Sequence, residues 1–173
     1  MPYDAANAIT VRRARTSDVP AVRRLVDPYV TEGILLDKAT VTLYEAIQEF
    51  WVAERDEDAR VVGCGALHVM WDDLAEVRTL AVDPSFKGTG VGHEVLDKLL
   101  RTARWLGVRK VFCLTFEVDF FGKHGFVEIG ETPVDTDVYS ELLRSYDEGV
   151  AEFLGLERVK PNTLGNSRML LHL

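Results

Sequence analysis

The chain has 173 residues, 47% of them hydrophobic, which predicts one domain with a single buried core. Its net charge of −8 argues against non-specific nucleic-acid binding and means that any anionic ligand needs a local positive patch. No secretory signal is visible, and no apolar run reaches the ~20 residues of a membrane span. Cys64 and Cys113 lie in apolar runs, which is typical of reduced core thiols. We therefore expect a cytoplasmic protein.

Hydrophobic patterning predicts strands and helices that follow a short N-terminal arm. In chain order these are an arm over 1–9, a strand over 10–14, a helix after the capping residues 16–18, a short helix with the capping-box pair Thr42 and Glu45, strands over 50–54, 60–71 and 76–82, a helix over 91–106, a strand over 110–115, a short helix, a strand ending at 129, a long helix over 135–153, and a strand over 167–173. The helix over 91–106 has the clearest apolar face, and Gly107 follows it as a stop signal. We therefore predict a single α/β (α+β) domain over 10–173.

A glycine-rich loop, Lys87-Gly88-Thr89-Gly90-Val91-Gly92-His93, joins the strand over 76–82 to this helix. Glycines permit positive φ and close approach of a ligand, and backbone N–H groups at a helix N-terminus favour an anion such as a phosphate. The spacing does not match a Walker A loop, which needs a lysine and a hydroxyl after its last glycine, or the dinucleotide fingerprint Gly-x-Gly-x-x-Gly. The loop is therefore predicted to hold phosphate in another way.

The loop resembles motif A of the GCN5-related N-acetyltransferases (GNAT), written Gln/Arg-x-x-Gly-x-Gly/Ala, with Lys87 at the basic position and Gly90 and Gly92 as the glycines. The resemblance implies the GNAT fold, a mixed and mostly antiparallel sheet of six to seven strands with helices on both faces, in which the two central strands splay apart. It also implies that acetyl-CoA is the co-substrate and that its pantetheine arm pairs with a free strand edge. The residues that would bind it are Leu80, Ala81, Val82, Lys87, Gly88, Thr89, Gly90, Val91, Gly92 and His93.

Further segments narrow the resemblance to the acetyltransferase domain of the N-acetylglutamate synthases, in their short form without an amino-acid kinase domain. These segments are 11–15, 33–38, 63–67, 75–82, 111–115, 125–126, 160–162 and 166–170. The resemblance implies transfer of acetyl from acetyl-CoA to the α-amine of L-glutamate, the first step toward arginine. Three alternatives stay open: glutamine as the acceptor, another amino acid or a protein N-terminus as the acceptor, and a non-catalytic acetyl-CoA sensor.

The resemblance also suggests catalytic residues. Glu76 matches an acidic residue that the family places on this strand, and a partly buried carboxylate is a suitable general base. Strand parity puts Glu76, Arg78, Leu80 and Val82 on one face unless a bulge intervenes. The resemblance implies that a backbone N–H near Leu80 or Ala81 stabilises the oxyanion. The tyrosine with which many relatives protonate the leaving thiolate is replaced by Phe121, so Thr115 is the candidate substitute.

A substrate with two carboxylates requires at least two cations, because a close charge pair contributes about 4 kcal/mol at an effective dielectric constant near 20. The candidate substrate-binding residues are Lys38, Arg78, Lys160, Ser167 and Arg168. Residues Gly165 and Asn166 stand where the long synthases carry tandem arginines, which keeps glutamine open as the substrate. The four histidines have no metal-ligand spacing, so no metal is expected, and a homodimer is compatible with the sequence.

Overall fold

The computed structural model describes residues 8–130, 134–155 and 165–173. Its strands are β1 (Ile9–Arg13), β2 (Phe50–Arg55), β3 (Val61–Trp71), β4 (Leu74–Val82), β5 (Lys110–Thr115), β6 (Val127–Glu128) and β7 (Ser167–His172). Its α-helices are α1 (Val19–Thr31), α2 (Thr40–Glu45), α3 (Val91–Leu106), α4 (Val118–Gly122), α5 (Thr136–Leu142) and α6 (Glu148–Phe153). Along these described parts of the chain, no helix is long and apolar enough to cross a membrane.

The seven strands form one sheet in the order β1-β2-β3-β4-β5-β7-β6, and only the β4–β5 contact is parallel. That contact pairs three residues of each strand and ends at Glu76 opposite Phe112. Beyond this point β4 continues to Val82 and β5 to Thr115 without pairing to each other. The predicted mixed sheet with two splayed central strands is therefore confirmed.

Helices cover both faces of the sheet, as predicted. One face packs against α3, whose buried residues include Val95, Leu96 and Leu99. On the other face, α1 and α2 cover the side of β2 and β3, while α5 and α6 cover the side of β5 and β7. Between these two pairs of helices, the sheet is open at the place where β4 and β5 separate.

Several predicted boundaries are confirmed and others are wrong; the strand predicted over 76–82, for example, begins at Leu74. Helix α3 spans 91–106 as predicted and ends at Gly107, whose φ is +85°, because glycine adopts the left-handed conformation without steric cost. The first strand begins at Ile9 and ends at Arg13, so residue 9 belongs to the sheet rather than to an arm. Helix α2 begins at Thr40 with no side-chain cap, so Thr42 and Glu45 lie inside it and form no capping box.

The largest error is the long helix predicted over 135–153, which is two short helices, α5 and α6. The break is stabilised by Asp147, whose carboxylate accepts a hydrogen bond from the Val150 N–H at 2.9 Å and caps α6. The same carboxylate pairs with Arg78 on β4. A partner 69 positions away leaves no trace in local periodicity.

Candidate functional site

The glycine loop has the geometry expected of an anion site. Gly88 and Gly90 have φ of +77° and +92°, and a Cβ added at either would meet no atom within 4 Å. Gly90 directly precedes α3, so the unpaired N–H groups of the first helical turn face the same open space. Gly92 has a different reason to be glycine, because its Cβ would lie 3.2 Å from the Phe120 ring.

The side chains of the loop are partly engaged in its own structure. The Thr89 hydroxyl donates to the Phe86 carbonyl at 2.5 Å, and Val91 is buried in the core. Lys87 is exposed, and its Nζ lies 5.4 Å from the centroid of the Tyr29 ring. Lys87 is therefore the loop side chain most available to an anion, whereas Thr89 and Val91 would contribute backbone groups.

His93, in the first turn of α3, is held by aromatic neighbours. Its Nδ1 lies 2.7 Å from Nε2 of His124, and its ring is 4.6 Å from that of Phe120. Burial, together with the charge that His93 would carry, lowers the pKa of His124. The His93 side chain is thus fixed beside the loop by protein contacts.

A bulge in β4 corrects the predicted parity of that strand. Cys64 pairs with Ala81 but Ala66 pairs with Arg78, so β4 has one more residue than β3 in this interval. Thr79 lies within it at φ +56°, an uncommon conformation for a branched residue. As a result Leu80 packs against α3, on the opposite face from Arg78.

A pocket lies where β4 separates from β5, between the segment that follows α1 and the first turn of α6. Its lining residues are Ile34, Leu35, Leu36, Lys38, Glu76, Val77, Arg78, Thr79, Leu114, Gly149, Glu152 and Asn166. Of the predicted substrate residues, it brings together Lys38 and Arg78, and it contains the predicted base, Glu76.

Arg78 is the centre of a buried ionic cluster in this pocket. Its Nη2 donates to Glu76 Oε2 at 2.7 Å, and its two terminal nitrogens donate to the two carboxylate oxygens of Asp147, each at 2.8 Å. The side chains of Arg78 and Glu76 are only 8% and 6% exposed. Gly149 covers the pair so closely that a Cβ there would lie 2.5 Å from Arg78 Nη2.

Three pKa shifts follow from this cluster. Burial would lower the pKa of Arg78, but the charges and hydrogen bonds of Glu76 and Asp147 outweigh it and raise that pKa. Burial would raise the pKa of Asp147, but the hydrogen bonds and charge of Arg78 hold it well below its usual range. Lys38 has its pKa lowered, chiefly by burial and then by the charge of Arg78.

The other predicted substrate residues are not in the pocket. Arg168 Nη2 lies 3.4 Å from the carbonyl oxygen of Glu152, and neither Arg168 nor Ser167 lines the pocket wall. Lys160 lies outside the described residues. Asn166 does line the pocket, and its Nδ2 donates to Glu152 Oε1 at 2.8 Å.

Thr115, the candidate proton donor to the leaving thiolate, is buried at the end of β5. It is not among the pocket-lining residues. Its hydroxyl accepts the Glu117 N–H at 2.8 Å, which orders the turn into α4. Strand alternation places it on the α3 side with Cys113, opposite Leu114, which lines the pocket. Phe121 is buried against Phe126, with ring centroids 5.2 Å apart, and is a core residue.

Neither cysteine is a ready nucleophile. Burial raises the pKa of the Cys64 thiol to about 12 and also raises that of Cys113. No group of three or more potential metal-ligating side chains occurs among residues 8–130, 134–155 and 165–173.

Sequence reasoning missed four residues that shape the site: Asp147, Gly149, Tyr29 and His68. His68 pairs in register with Glu76, and its two ring nitrogens lie 2.7 Å from Glu49 Oε1 and 3.9 Å from Asp147 Oδ2. One signal was available, since an aspartate followed by Glu148 in the first turn is typical of a helix N-terminus.

Comparison with known proteins agrees with this geometry. The acetyltransferase (GNAT) domain family matches residues 46–128. An amino-acid acetyltransferase of Mycobacterium tuberculosis is 64% identical over 162 residues, which cover 93% of this chain and 92% of that protein.

Two solved structures extend the comparison. A Mycobacterium tuberculosis protein crystallised in complex with CoA and NLQ superposes with a TM-score of 0.91 at 63% identity, over 95% of this chain and 99% of the other. The Neisseria gonorrhoeae N-acetylglutamate synthase complexed with coenzyme A and N-acetyl-glutamate superposes with a TM-score of 0.75 over 96% of this chain and 35% of that longer one. Its 23% identity supports the fold alone. The glycine loop, the splayed sheet and the 64% identical relative together establish that the chain belongs to the acetyltransferase (GNAT) family and is an enzyme of that family.

Proposed function

We propose that the enzyme transfers the acetyl group of acetyl-CoA to the α-amine of L-glutamate, giving N-acetylglutamate and CoA. One observation carries the proposal: the buried carboxylate of Glu76 lies where β4 and β5 separate, in a pocket that also contains Lys38 and Arg78. The amino-acid acetyltransferase relative supports the substrate class.

The co-substrate would occupy the opening between the two strands. Its pantetheine amides would pair with the backbone of β4 beyond Arg78, which β5 leaves open. Its phosphates would lie at the glycine loop, where Gly88 and Gly90 leave free space and Lys87 adds a positive charge. The acetyl group would then lie beside Glu76.

Transfer proceeds by direct attack within a ternary complex. Glu76 removes a proton from the substrate ammonium, directly or through a water, and the amine nitrogen attacks the acetyl carbonyl carbon. A backbone N–H near Leu80, at the bulge of β4, stabilises the oxyanion, whereas the Ala81 N–H faces Cys64 on β3. When the intermediate collapses, the C–S bond breaks and the C–N bond remains as the amide. The attacking nitrogen loses its second proton at this stage, and the departing thiolate takes up a proton. A water is the proposed donor of that proton, because the Thr115 hydroxyl lies on the α3 side of β5, away from the pocket, and accepts the Glu117 N–H.

A second acceptor, L-glutamine, is favoured by the ion pairing of the pocket. Arg78 already contacts the carboxylates of Glu76 and Asp147. Among the described residues that line the pocket, this leaves Lys38 as the cation without an ion pair. One free cation suits a substrate with a single carboxylate, whereas glutamate must also displace Asp147 or Glu76 from Arg78.

The test is acetyl-CoA-dependent thiol release with each standard L-amino acid, for the wild type and for Glu76→Gln. Turnover of glutamate that falls at least about a hundredfold in Glu76→Gln supports both the substrate and the base. Turnover of glutamine but not glutamate replaces the substrate and keeps the mechanism. No turnover of any amino acid, with CoA still bound, refutes the proposed reaction.

A further inference from the structure

Tyr29, near the end of α1, contacts both parts of the proposed coenzyme A site. Its hydroxyl donates to the Val82 carbonyl at 2.7 Å, and its ring centroid lies 5.4 Å from Lys87 Nζ. The ring is half-buried and packs against the core beneath α1, so its position is fixed by the fold.

The Val82 carbonyl belongs to the open edge of β4. The Asp83 N–H donates to the Val62 carbonyl at 2.8 Å, so Val62 and Asp83 form a hydrogen-bonded antiparallel pair. In such a ladder the neighbouring pair, Gly63 with Val82, directs its polar groups away from the partner strand. The N–H and carbonyl of Val82 therefore face the opening that β5 leaves. The carbonyl oxygen accepts the hydrogen bond from the Tyr29 hydroxyl.

The backbone of Tyr29 is also tied to the pocket. Its carbonyl oxygen accepts the N–H groups of Ile34 at 2.8 Å and Leu35 at 3.2 Å, and both residues line the pocket. These bonds hold the end of α1 against the site. Tyr29 is therefore held at its backbone by Ile34 and Leu35 and at its hydroxyl by Val82.

We infer that Tyr29 is a positioning residue of the coenzyme A site. Its hydroxyl orients the last peptide of β4 for the pantetheine arm, and its ring holds the Lys87 ammonium at the mouth of the glycine loop by a cation–π contact. The inference rests on the proposed binding of coenzyme A between β4 and the loop, and it is independent of which amine is acetylated.

The two contacts can be separated by titrating purified protein with CoA and with pantetheine, which lacks the phosphates. Tyr29→Phe removes the hydroxyl and keeps the ring, so Kd for both ligands should rise by about threefold to tenfold. Tyr29→Leu removes the ring as well, so its Kd for CoA should rise by a further twofold to fivefold, while its Kd for pantetheine should match that of Tyr29→Phe. In a Lys87→Ala background, that further step should vanish.

The control is Tyr44→Phe on the neighbouring α2, whose side chain is exposed and should leave both Kd values unchanged. In steady-state kinetics, Tyr29→Phe should raise KM for acetyl-CoA by about threefold to tenfold and lower kcat by a smaller factor, since the residue acts through binding. The inference is overturned if Tyr29→Phe leaves both Kd values within twofold of wild type. It is also overturned if the extra effect of Tyr29→Leu persists without Lys87. A wild-type protein that binds CoA but does not acetylate glutamate refutes the proposed reaction and leaves the Tyr29 test valid.

Discussion

Replacing Gly149 with alanine tests whether the ionic cluster of the pocket depends on the close approach of α6. An alanine in a helix ordinarily stabilises it by about 0.5–1 kcal/mol relative to glycine. Here the new Cβ would lie 2.5 Å from Arg78 Nη2, 2.9 Å from its Cζ and 3.0 Å from Glu76 Oε2. The guanidinium must withdraw by roughly 1 Å to reach ordinary van der Waals separation.

Arg78 cannot withdraw freely, because three hydrogen bonds of 2.7–2.8 Å hold it to Glu76 and Asp147. Breaking a buried ion pair costs about 3–5 kcal/mol, and a displaced pair loses part of that. After the gain in helix propensity, we expect Gly149→Ala to be destabilised by about 1–3 kcal/mol, or a Tm lower by about 3–10 °C. Since misplacing a catalytic group by about 1 Å can cost a hundredfold in rate, kcat should fall by tenfold to a hundredfold.

Thermal unfolding and steady-state kinetics measure both effects. The matched control is Gly122→Ala at the end of α4, where a Cβ would meet nothing within 4 Å. It should change neither Tm by more than about 2 °C nor kcat. A Gly149→Ala protein that is more stable than wild type and has unchanged kcat would refute the account of the cluster.

Two other predictions concern the loop and the pocket. Gly90→Ala places a Cβ in the space assigned to phosphate, so it should raise KM for acetyl-CoA at least tenfold. The control is Gly107→Ala at the other end of α3, where φ is +85°. It should lower the stability by a similar amount and leave KM for acetyl-CoA unchanged. Equal KM values for the two variants would contradict the assignment. Because the pKa of Lys38 is lowered, its ammonium should lose its proton at a lower pH than an ordinary lysine, and KM for the amino acid should rise as the pH increases through that value. Lys38→Arg keeps its charge and should remove this alkaline rise in pH–KM profiles, whereas a persisting rise would exclude Lys38 as its source.

The parts of the fold that the sequence predicts well are those where one periodic pattern decides the structure. Helix α3 and strand β5 have the predicted bounds. The buried residues of α3 lie on one face, against one core, and β5 is a short apolar run that packs against a core on each side of the sheet. The glycine loop was identified because positive φ at Gly88 and Gly90 requires a specific residue type. A local sequence is sufficient to specify such elements.

The parts that were predicted wrongly depend on contacts between distant segments. The 135–153 segment has helical periodicity, yet it breaks where Asp147 caps α6 and pairs with Arg78 on β4. Similarly, Arg168 has the charge expected of a substrate residue but lies against the Glu152 carbonyl, whereas Asn166 lines the pocket. Residue type predicts the chemistry that a site needs, and only the folded chain determines which residues supply it.

The bulge in β4 connects these errors to the chemistry. In an unbroken strand, Leu80 and Val82 would share a face with Glu76 and Arg78, and two apolar side chains would lie on the polar face of the sheet. The extra residue at Thr79 returns Leu80 to the α3 core, so one strand supplies both the ionic cluster and an apolar anchor. The strained φ of Thr79 is the conformational cost of this change of face, and strain of this kind is found where function requires it. Removing the extra residue of the bulge should therefore preserve the sheet and abolish the site. If Leu80 and Val82 stay packed against α3, Arg78 shifts by one position along β4, turns to the other face of the sheet and loses its contact with Asp147.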